Sequence, residues 1–586
     1  MIDFTTINPL IGTTAALMAL SILWFAVSRG LALMMFFQQE EYDDMRFVAW
    51  LKDKQAHDRT ASLWLIGAAI LSALLQSDLS AAARAETSVL PLAPLLLFAI
   101  GMFTGIRRSR ATVKDNKKPL VRTGRVNRIF HLYMLMTLAA LAAAFWLASF
   151  APKGSSYSVS YEENAASWLD SFEFLSLSHD WRFAVFAILS IGLFQLMPFL
   201  IIGANKLLEP YEERVKAGFR AEAVDKFNKL APKVIAITGS FGKTSTKHIL
   251  AHILEAAAPT LATPGSVNTE MGITRVIREQ LTADHQYFIV EMGAYGPGSI
   301  ARLCLLTPPD VALITAVGAA HYERFKTIET VAKAKFEIAE AVFKNGGTAV
   351  ISTDGIPAEH VAERTADIPG NYIRVGSGGD ISIKTYRITA EGIVLDIIDG
   401  DDEHTISTPL YGHHQAENIL IAAATARALG LPWSAIKGAL ASVPQIRFRL
   451  EVSRSSGSPT IINDAYNSNP VGFAAALDCL DVLVRPEGRR ILITPGMVEL
   501  GALHEAEHER LGALAAKHAD IICVVTPDRI PSFLTGLEAN NDGSTTVMTF
   551  SCQEDAEKWV KANWKPEDAI LFENNLPDLY EASVSF

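Results

Sequence analysis

Cysteine is scarce: the 586-residue chain holds four. They stand far apart, at Cys304, Cys479, Cys523 and Cys552, with no paired metal spacing, and all lie downstream of the most apolar part of the chain. A disulfide framework and a cysteine-built zinc site are thereby excluded, and the usage fits a reducing compartment. An excess of positive charge is lacking too. Lysine and arginine number 52 against 63 aspartates and glutamates, a formal net charge of -11. That balance does not favour a general nucleic-acid role. Internal repeats and low-complexity tracts are absent. No small-residue cleavage site precedes a polar start, so the first apolar stretch does not read as a secretory signal peptide.

What is abundant is apolar surface. Hydrophobic residues make up 49% of the chain, and the mean hydropathy is +0.21. The excess sits in Pro9–Phe37 (broken by Arg29), Ala61–Gln76, Val89–Ile106, Ile129–Phe150 and Phe183–Ala204. A membrane span needs roughly 20 apolar residues, so the expectation is about five spans, with four as the alternative because the second run is short. The loop after the third run carries Arg107, Arg108, Arg110, Lys114, Lys117, Lys118, Arg122, Arg125 and Arg128. Ala151–Trp181 carries only Lys153 against Glu162, Glu163, Asp170, Glu173 and Asp180. The positive loop is expected inside and the acidic one outside, which leaves everything after Asn205 in the cytoplasm. The basic loop reads either as a plain topology signal or as a binder of anionic lipid headgroups.

Downstream the pattern changes. Leu207–Leu230 is charged with helical apolar spacing and reads as a connecting helix. Val234–Ile237, Tyr287–Glu291, Val311–Thr315, Thr348–Ser352, Ile491–Thr494 and Ile521–Thr526 are short apolar runs. Helical patterns separate them, which predicts parallel α/β layers. A break at Phe448–Ser458 suggests a second soluble unit from about Val452. The expected division is residues 1–206, 207–230, 231–451 and 452–586.

The chemistry centres on Val234–Lys247. A strand leads into Gly239-Ser240-Phe241-Gly242-Lys243-Thr244, and a helical pattern follows. Glycines let backbone N–H groups approach an anion, and a helix N-terminus adds a favourable dipole. Lys243 suits the outer phosphates of a nucleoside triphosphate, and the Thr244 hydroxyl suits Mg2+. The spacing is two residues shorter than the general six-position loop, and an ordinary glycine turn is the bland alternative. Glu291 ends one apolar strand and His321 follows another, where α/β sheets bind ligands. Taken singly, each reads as well as a surface strand end or a satisfied loop histidine.

Taken together, the polar segments resemble the Mur ligase family, ATP-dependent amide-forming enzymes of bacterial cell-wall synthesis. The likeness is carried by TGSFGKTSTK (238–247), TPGSVNTEMG (263–272), VEMGAYGPGSI (290–300), ITAVGAAHYERF (314–325), VAKAKFEI (331–338), GHHQAENILIAAA (412–424), RFRLEV (447–452), NDAYNSNP (463–470) and PGMVELG (495–501). These stand in family order, most like the branch that adds D-alanyl-D-alanine. The resemblance implies a P-loop central domain and a Rossmann-like C-terminal domain behind a helical membrane bundle. It implies that Gly239, Ser240, Gly242, Lys243, Thr244 and Ser245 cradle the triphosphate of ATP. Thr244 and Glu291 would ligate one Mg2+ and His321 a second, with Lys335 as a carbamate in support. His414 and Asn418 match the adenine side, Arg449 the domain junction, and Asp464 the segment that closes over the nucleotide. Asn268, Glu270, Asn467 and Asn469 are the candidate substrate contacts. The implied reaction joins a carboxylate to an amine through an acyl phosphate.

The chain also departs from the family. A UDP-sugar-binding first domain is missing, and the apolar segment takes its place. Gly-Asp-Met reads Pro495-Gly496-Met497, and Phe448 stands where a glycine is usual before Arg449. Leu571–Asp578 replaces a late Lys-Gly-Ser type motif. The expectation is therefore a multi-pass enzyme of the cytoplasmic membrane, whose acceptor is either a UDP-muramyl peptide or lipid-linked. A poly-γ-glutamate-type synthetase and a non-catalytic nucleotide-binding scaffold remain as alternatives. The pattern leaves the oligomeric state open.

Overall fold

The computed structural model describes residues 9–75 (side chains from 16), 93–114, 119–152, 181–318, 325, 327–465, 469–498 and 500–574. His321, Asn467, Lys117, Lys118, nearly all of the acidic 151–181 loop and the late segment beyond Asn574 lie outside the described residues. The chain divides into two compact units, one up to Arg214 and one from Val215.

The first unit is helical: α1 (Pro9–Gln39), α2 (Asp44–Asp53), α3 (Thr60–Leu75), α4 (Ala93–Lys114), α5 (Gly124–Ser149) and the start of α6 (Trp181–Leu230). Long runs rich in Leu, Ala and Met favour helix. Ala16–Gln39, Gly124–Ser149 and Trp181–Leu230 are long and apolar enough to cross a membrane. Thr60–Leu75 is apolar but shorter, at 16 residues. The last turns of α4 carry Arg107, Arg108, Arg110 and Lys114, so its apolar part is shorter than the helix.

Inside this unit Phe36 stacks on Trp50 with centroids 4.4 Å apart. The Tyr133 hydroxyl donates to the Ala26 carbonyl at 3.0 Å. Arg29 and Asp58 form a fully buried ion pair at 3.7 Å. Ser62 donates to that aspartate from its amide and its hydroxyl, each at 2.8 Å. Large apolar side chains also point outward, among them Leu63, Trp64, Ile70, Phe103, Leu135, Trp146, Ile188 and Phe199.

Helix α6 does not stop where the apolar run ends. It continues through the charged connecting stretch as one 50-residue helix with Pro198 and Pro210 inside it. Each proline removes one backbone bond, and the strong helix formers around them carry the helix past it.

The second unit opens with α/β alternation: β1 (Lys233–Thr238), α7 (Lys243–Glu255), β2 (Thr260–Ala262), α8 (Glu270–Glu279), β3 (Tyr287–Glu291), α9 (Ser299–Leu306), β4 (Val311–Ile314), α10 (Ile328–Lys344), β5 (Thr348–Ser352), α11 (Ala358–Asp367) and β6 (Asn371–Val375). A meander follows, β7 (Ile381–Thr389), β8 (Gly392–Asp399) and β9 (Asp402–Thr408), then α12 (His413–Ala428) and α13 (Trp433–Leu440). The nine-stranded sheet runs β2-β3-β1-β4-β5-β6-β7-β8-β9. It is parallel from β2 to β7 and antiparallel across β7, β8 and β9. The fully buried Ile235, Ile237, Ile289 and Leu313 show why these strands read as continuous apolar runs: helices cover both faces. The chain leaves β1 for β2 and β3 on one side, then crosses to β4 on the other. The carboxyl ends of β1, β3 and β4 therefore flank a point of reversal, where such sheets open a crevice.

A second sheet is built from β10 (Glu451–Ser453), β11 (Thr460–Asp464), α14 (Pro470–Leu483), β12 (Arg490–Thr494), α15 (His504–His518), β13 (Ile521–Val525), α16 (Pro531–Asn540), β14 (Thr546–Phe550), α17 (Gln553–Asn563) and β15 (Ala569–Glu573). Its six strands run β10-β11-β15-β12-β13-β14. Only β10 is antiparallel to its neighbour. It begins within the predicted break.

Candidate functional site

The turn between β1 and α7 is held from below. Thr315 donates from Oγ1 to the Phe241 carbonyl at 2.5 Å. Ser240 exchanges two hydrogen bonds with Gly318, its hydroxyl donating at 3.0 Å and accepting at 2.9 Å. Two glycines are required by space. A Cβ on Gly239 would lie 1.9 Å from Thr315 Oγ1, and one on Gly242 2.5 Å from Asn418 Oδ1. Gly242 also has φ +81, the left-handed region that side chains disfavour. Among the described residues no side chain caps the N-terminus of α7.

Lys243 starts α7 and folds back on its own loop, donating to the Gly239 carbonyl at 2.6 Å and to that of Ser240 at 3.3 Å. Burial pushes its pKa down to about 8, with Glu291 opposing the shift. Thr244 donates from Oγ1 to Glu291 Oε2 at 3.0 Å. Ser245 is buried in the same turn.

Glu291, 1% exposed, is the hub. Besides Thr244 it accepts from Lys247 Nζ at 2.8 Å and from Asn268 Nδ2 at 3.2 Å. Its own amide donates to Thr263 Oγ1 at 3.1 Å. Lys247 also donates to the Gly265 carbonyl at 2.6 Å, tying α7 to the 263–270 loop. Burial drives the Lys247 pKa down, and the Glu291 carboxylate offsets part of that. Sequence reasoning passed over Lys247. The signal was its place one turn beyond Lys243, on the same face of the helix.

Lys335 lies in the middle of α10, 4% exposed. Burial, then the like charge of Lys243, pushes its pKa well below the ordinary lysine value. Lys335 is buried and Lys243 half-buried, and the like charge of Lys243 adds to the burial shift on Lys335. Among the described residues no three of His, Cys, Asp and Glu converge on one point. A cation site here would rest on Glu291 and the Thr244 hydroxyl, a hard oxygen pair suited to Mg2+.

The remaining candidates divide. Asn418 sits under the loop, accepting from Thr246 Oγ1 at 3.1 Å and donating to Gln415 at 3.1 Å. His414 carries a buried Nδ1 with no hydrogen-bond partner among the described residues. Burial brings its pKa down to about 4, so its ring is neutral at pH 7. Arg449 stands between Phe448 (φ +59) and Leu450 (φ +52), both in the left-handed region. The Leu450 amide donates to Asp464 Oδ1 at 3.0 Å, and burial raises that carboxyl to about 6. Two candidate substrate contacts have structural partners. Asn469 caps α14, accepting from the amides of Val471 and Gly472 at 3.2 and 3.0 Å. Glu270, the first residue of α8, pairs with Arg220.

A glycine turn, a lysine and a hydroxyl heading a helix, and a strand-end carboxylate beside them make this a phosphate-loop α/β protein. Comparison with known proteins narrows the class. Residues 237–426 match the Mur ligase middle domain, and residues 448–573 match the Mur ligase glutamate ligase domain. The UDP-N-acetylmuramoyl-tripeptide–D-alanyl-D-alanine ligase of Mycobacterium bovis is 34% identical over 361 residues, 58% of this chain and 69% of the relative. The enzyme of that name from Escherichia coli K12 is 32% identical over 293 residues, 49% of this chain and 63% of the relative. Among solved structures, the MurF ligase of Thermotoga maritima in complex with ADP superposes with a TM-score of 0.54 at 27% identity, covering 63% of this chain and 82% of that one. The chain belongs to the Mur ligase family. It spans about two thirds of the length of these two curated relatives.

Proposed function

We propose that this chain is a membrane-associated, ATP-dependent amide ligase of cell-envelope precursor synthesis. The observation that carries the reading is the Lys243–Thr244–Glu291 cluster with Lys335 behind it, set in a Mur ligase middle domain. A carboxylate substrate attacks the γ-phosphorus of ATP, giving an acyl phosphate and ADP. An amine substrate then attacks the acyl carbon, phosphate leaves, and the amine proton is lost to solvent. Both reactants of the first step are anions. Lys243 leaves its loop carbonyls to bind the transferring phosphoryl group, where a preorganised charge counts most. Thr244 and Glu291 would hold Mg2+, which would supply charge to offset that of the phosphates. Lys335, as a carbamate, would add an anion beside Lys243 and remove the like-charge conflict. By their match to the family motif, His414 and Asn418 would serve the adenine side. Arg449 and Asp464 form the hinge about which the second sheet closes and excludes water from the acyl phosphate.

The helical unit supports the membrane part of the reading. Among the described residues three helices are long and apolar enough to span, and they display large apolar side chains outward. The catalytic sheets then lie in the cytoplasm, as the charge asymmetry of the loops requires. That unit precedes the family-matched region, where the family carries its UDP-sugar domain. The carboxylate substrate is accordingly presented at the membrane surface, lipid-linked, and the spans supply the remote binding that orients it.

The test is amine-dependent phosphate release by the full-length protein in detergent, over matched lipid-linked and UDP-linked acceptors. Wild type should turn over, and Lys243→Ala should lose about 10²–10³ in rate. Release unchanged in that variant refutes the phosphate-loop assignment. Equal or better kcat/KM on the soluble acceptor refutes the membrane presentation.

A further inference from the structure

The last turns of α6 precede the family-matched residues and pack on α8. Ala223 and Phe227 share an apolar core with Ile273, Val276 and Ile277. Polar contacts brace the same face. Arg278 donates to Glu222 at 2.7 Å and lies 4.2 Å from the Phe219 ring centroid. Lys226 donates to the Arg278 carbonyl at 2.8 Å. One contact is of a different kind. Arg220 pairs with Glu270, which opens α8 directly after the cap Thr269 and after Asn268.

A helix N-terminus favours negative charge, so Glu270 alone already satisfies this one. A cation beside it adds nothing to the helix itself; what it fixes is the Glu270 side chain and the loop leading into it. That loop ends on the hub. Asn268 donates from Nδ2 to Glu291, receives the Tyr295 hydroxyl at 2.9 Å on Oδ1, and takes the Gly293 amide on its carbonyl at 2.9 Å.

We propose that Arg220 is a positioning residue: by holding Glu270 it fixes the 263–270 loop, and through Asn268 the direction in which Glu291 presents its carboxylate. The proposal rests on the reading of Glu291 as the carboxylate that faces the nucleotide's metal ion. Both members of the pair are about one-third exposed, 39% and 32% for their side chains, so the effect is modest in size.

The test uses full-length protein in detergent as wild type, Arg220→Ala, Arg220→Lys and Glu222→Gln. One readout is amide hydrogen exchange over residues 263–272 without nucleotide. The other is the Mg2+ concentration that half-saturates phosphate release. Arg220→Ala should speed exchange in that loop and raise the Mg2+ requirement about two- to fivefold, with kcat recovered at saturating Mg2+. Arg220→Lys should recover most of both. Glu222→Gln weakens a brace on the same helix face without touching the loop, and should match wild type. Unchanged exchange and Mg2+ requirement in Arg220→Ala, or the same change in Glu222→Gln, overturns the proposal. A wild-type protein that releases no phosphate fails the functional reading instead, and the exchange measurement still decides whether Arg220 holds the loop.

Discussion

At the residue scale the site is defined by charges held where they are costly. Lys243 has its pKa at about 8 because burial disfavours its ammonium. A bound polyphosphate favours the charged form and raises that value. Between about pH 8 and the ordinary lysine value, binding must therefore take up a proton. Calorimetry of ADP binding near pH 9 in buffers of different ionisation enthalpy should show that uptake in wild type and its loss in Lys243→Ala. Equal heats across buffers in wild type would show that the lysine does not meet the phosphates. The sign for the fold follows from the same shift. The unfolded chain binds more protons than the folded one from about pH 8 upward, so this group's contribution to stability improves with pH across that window.

At the element scale the phosphate loop works because two of its positions have no Cβ. A methyl group on Gly242 would meet Asn418 Oδ1 and would also sit at φ +81. Gly242→Ala should therefore abolish nucleotide binding while both sheets keep their secondary structure, read by equilibrium dialysis with ADP and by circular dichroism. Much of this element was legible in the amino-acid order. Tyr287–Glu291 and Thr348–Ser352 have the predicted bounds, and Val311–Ile314 ends one residue short of its prediction. Strands buried on both faces leave an unbroken apolar run, which is easy to read. The meander Ile381–Thr408 was missed because its strands mix exposed residues such as Lys384 and Arg387 with half-buried and buried ones, which leaves no unbroken apolar run. Lys247 stood one turn beyond Lys243, a readable place, but its partner Glu291 lies far along the chain. Arg220 was missed because its partner Glu270 is equally remote and no local pattern announces that pair.

At the scale of the whole molecule, the chain joins an apolar helical unit to a Mur ligase core. The basic Arg107–Arg128 stretch and the acidic residues of 151–181 set the expected sidedness. The protein should sediment with membranes, and a C-terminal alkaline phosphatase fusion, active only outside the cytoplasm, should be silent. Activity in that fusion would reverse the orientation. The apolar runs announced this unit because their length and composition favour long apolar helices, whereas the polar pair Arg29–Asp58 inside it carries no such signature.

The placement of Lys335 has a further consequence for the fold as a whole. Burial and the like charge of Lys243 both disfavour an ammonium there, and a nearby anion, on a ligand or as the lysine's own carbamate, would offset that cost. An unmodified lysine kept there would trade some durability of the ligand-free protein for a sturdier liganded one. Abundance in the cell would then follow nucleotide supply, because a protein that is firmest when occupied is cleared fastest when starved of its ligand.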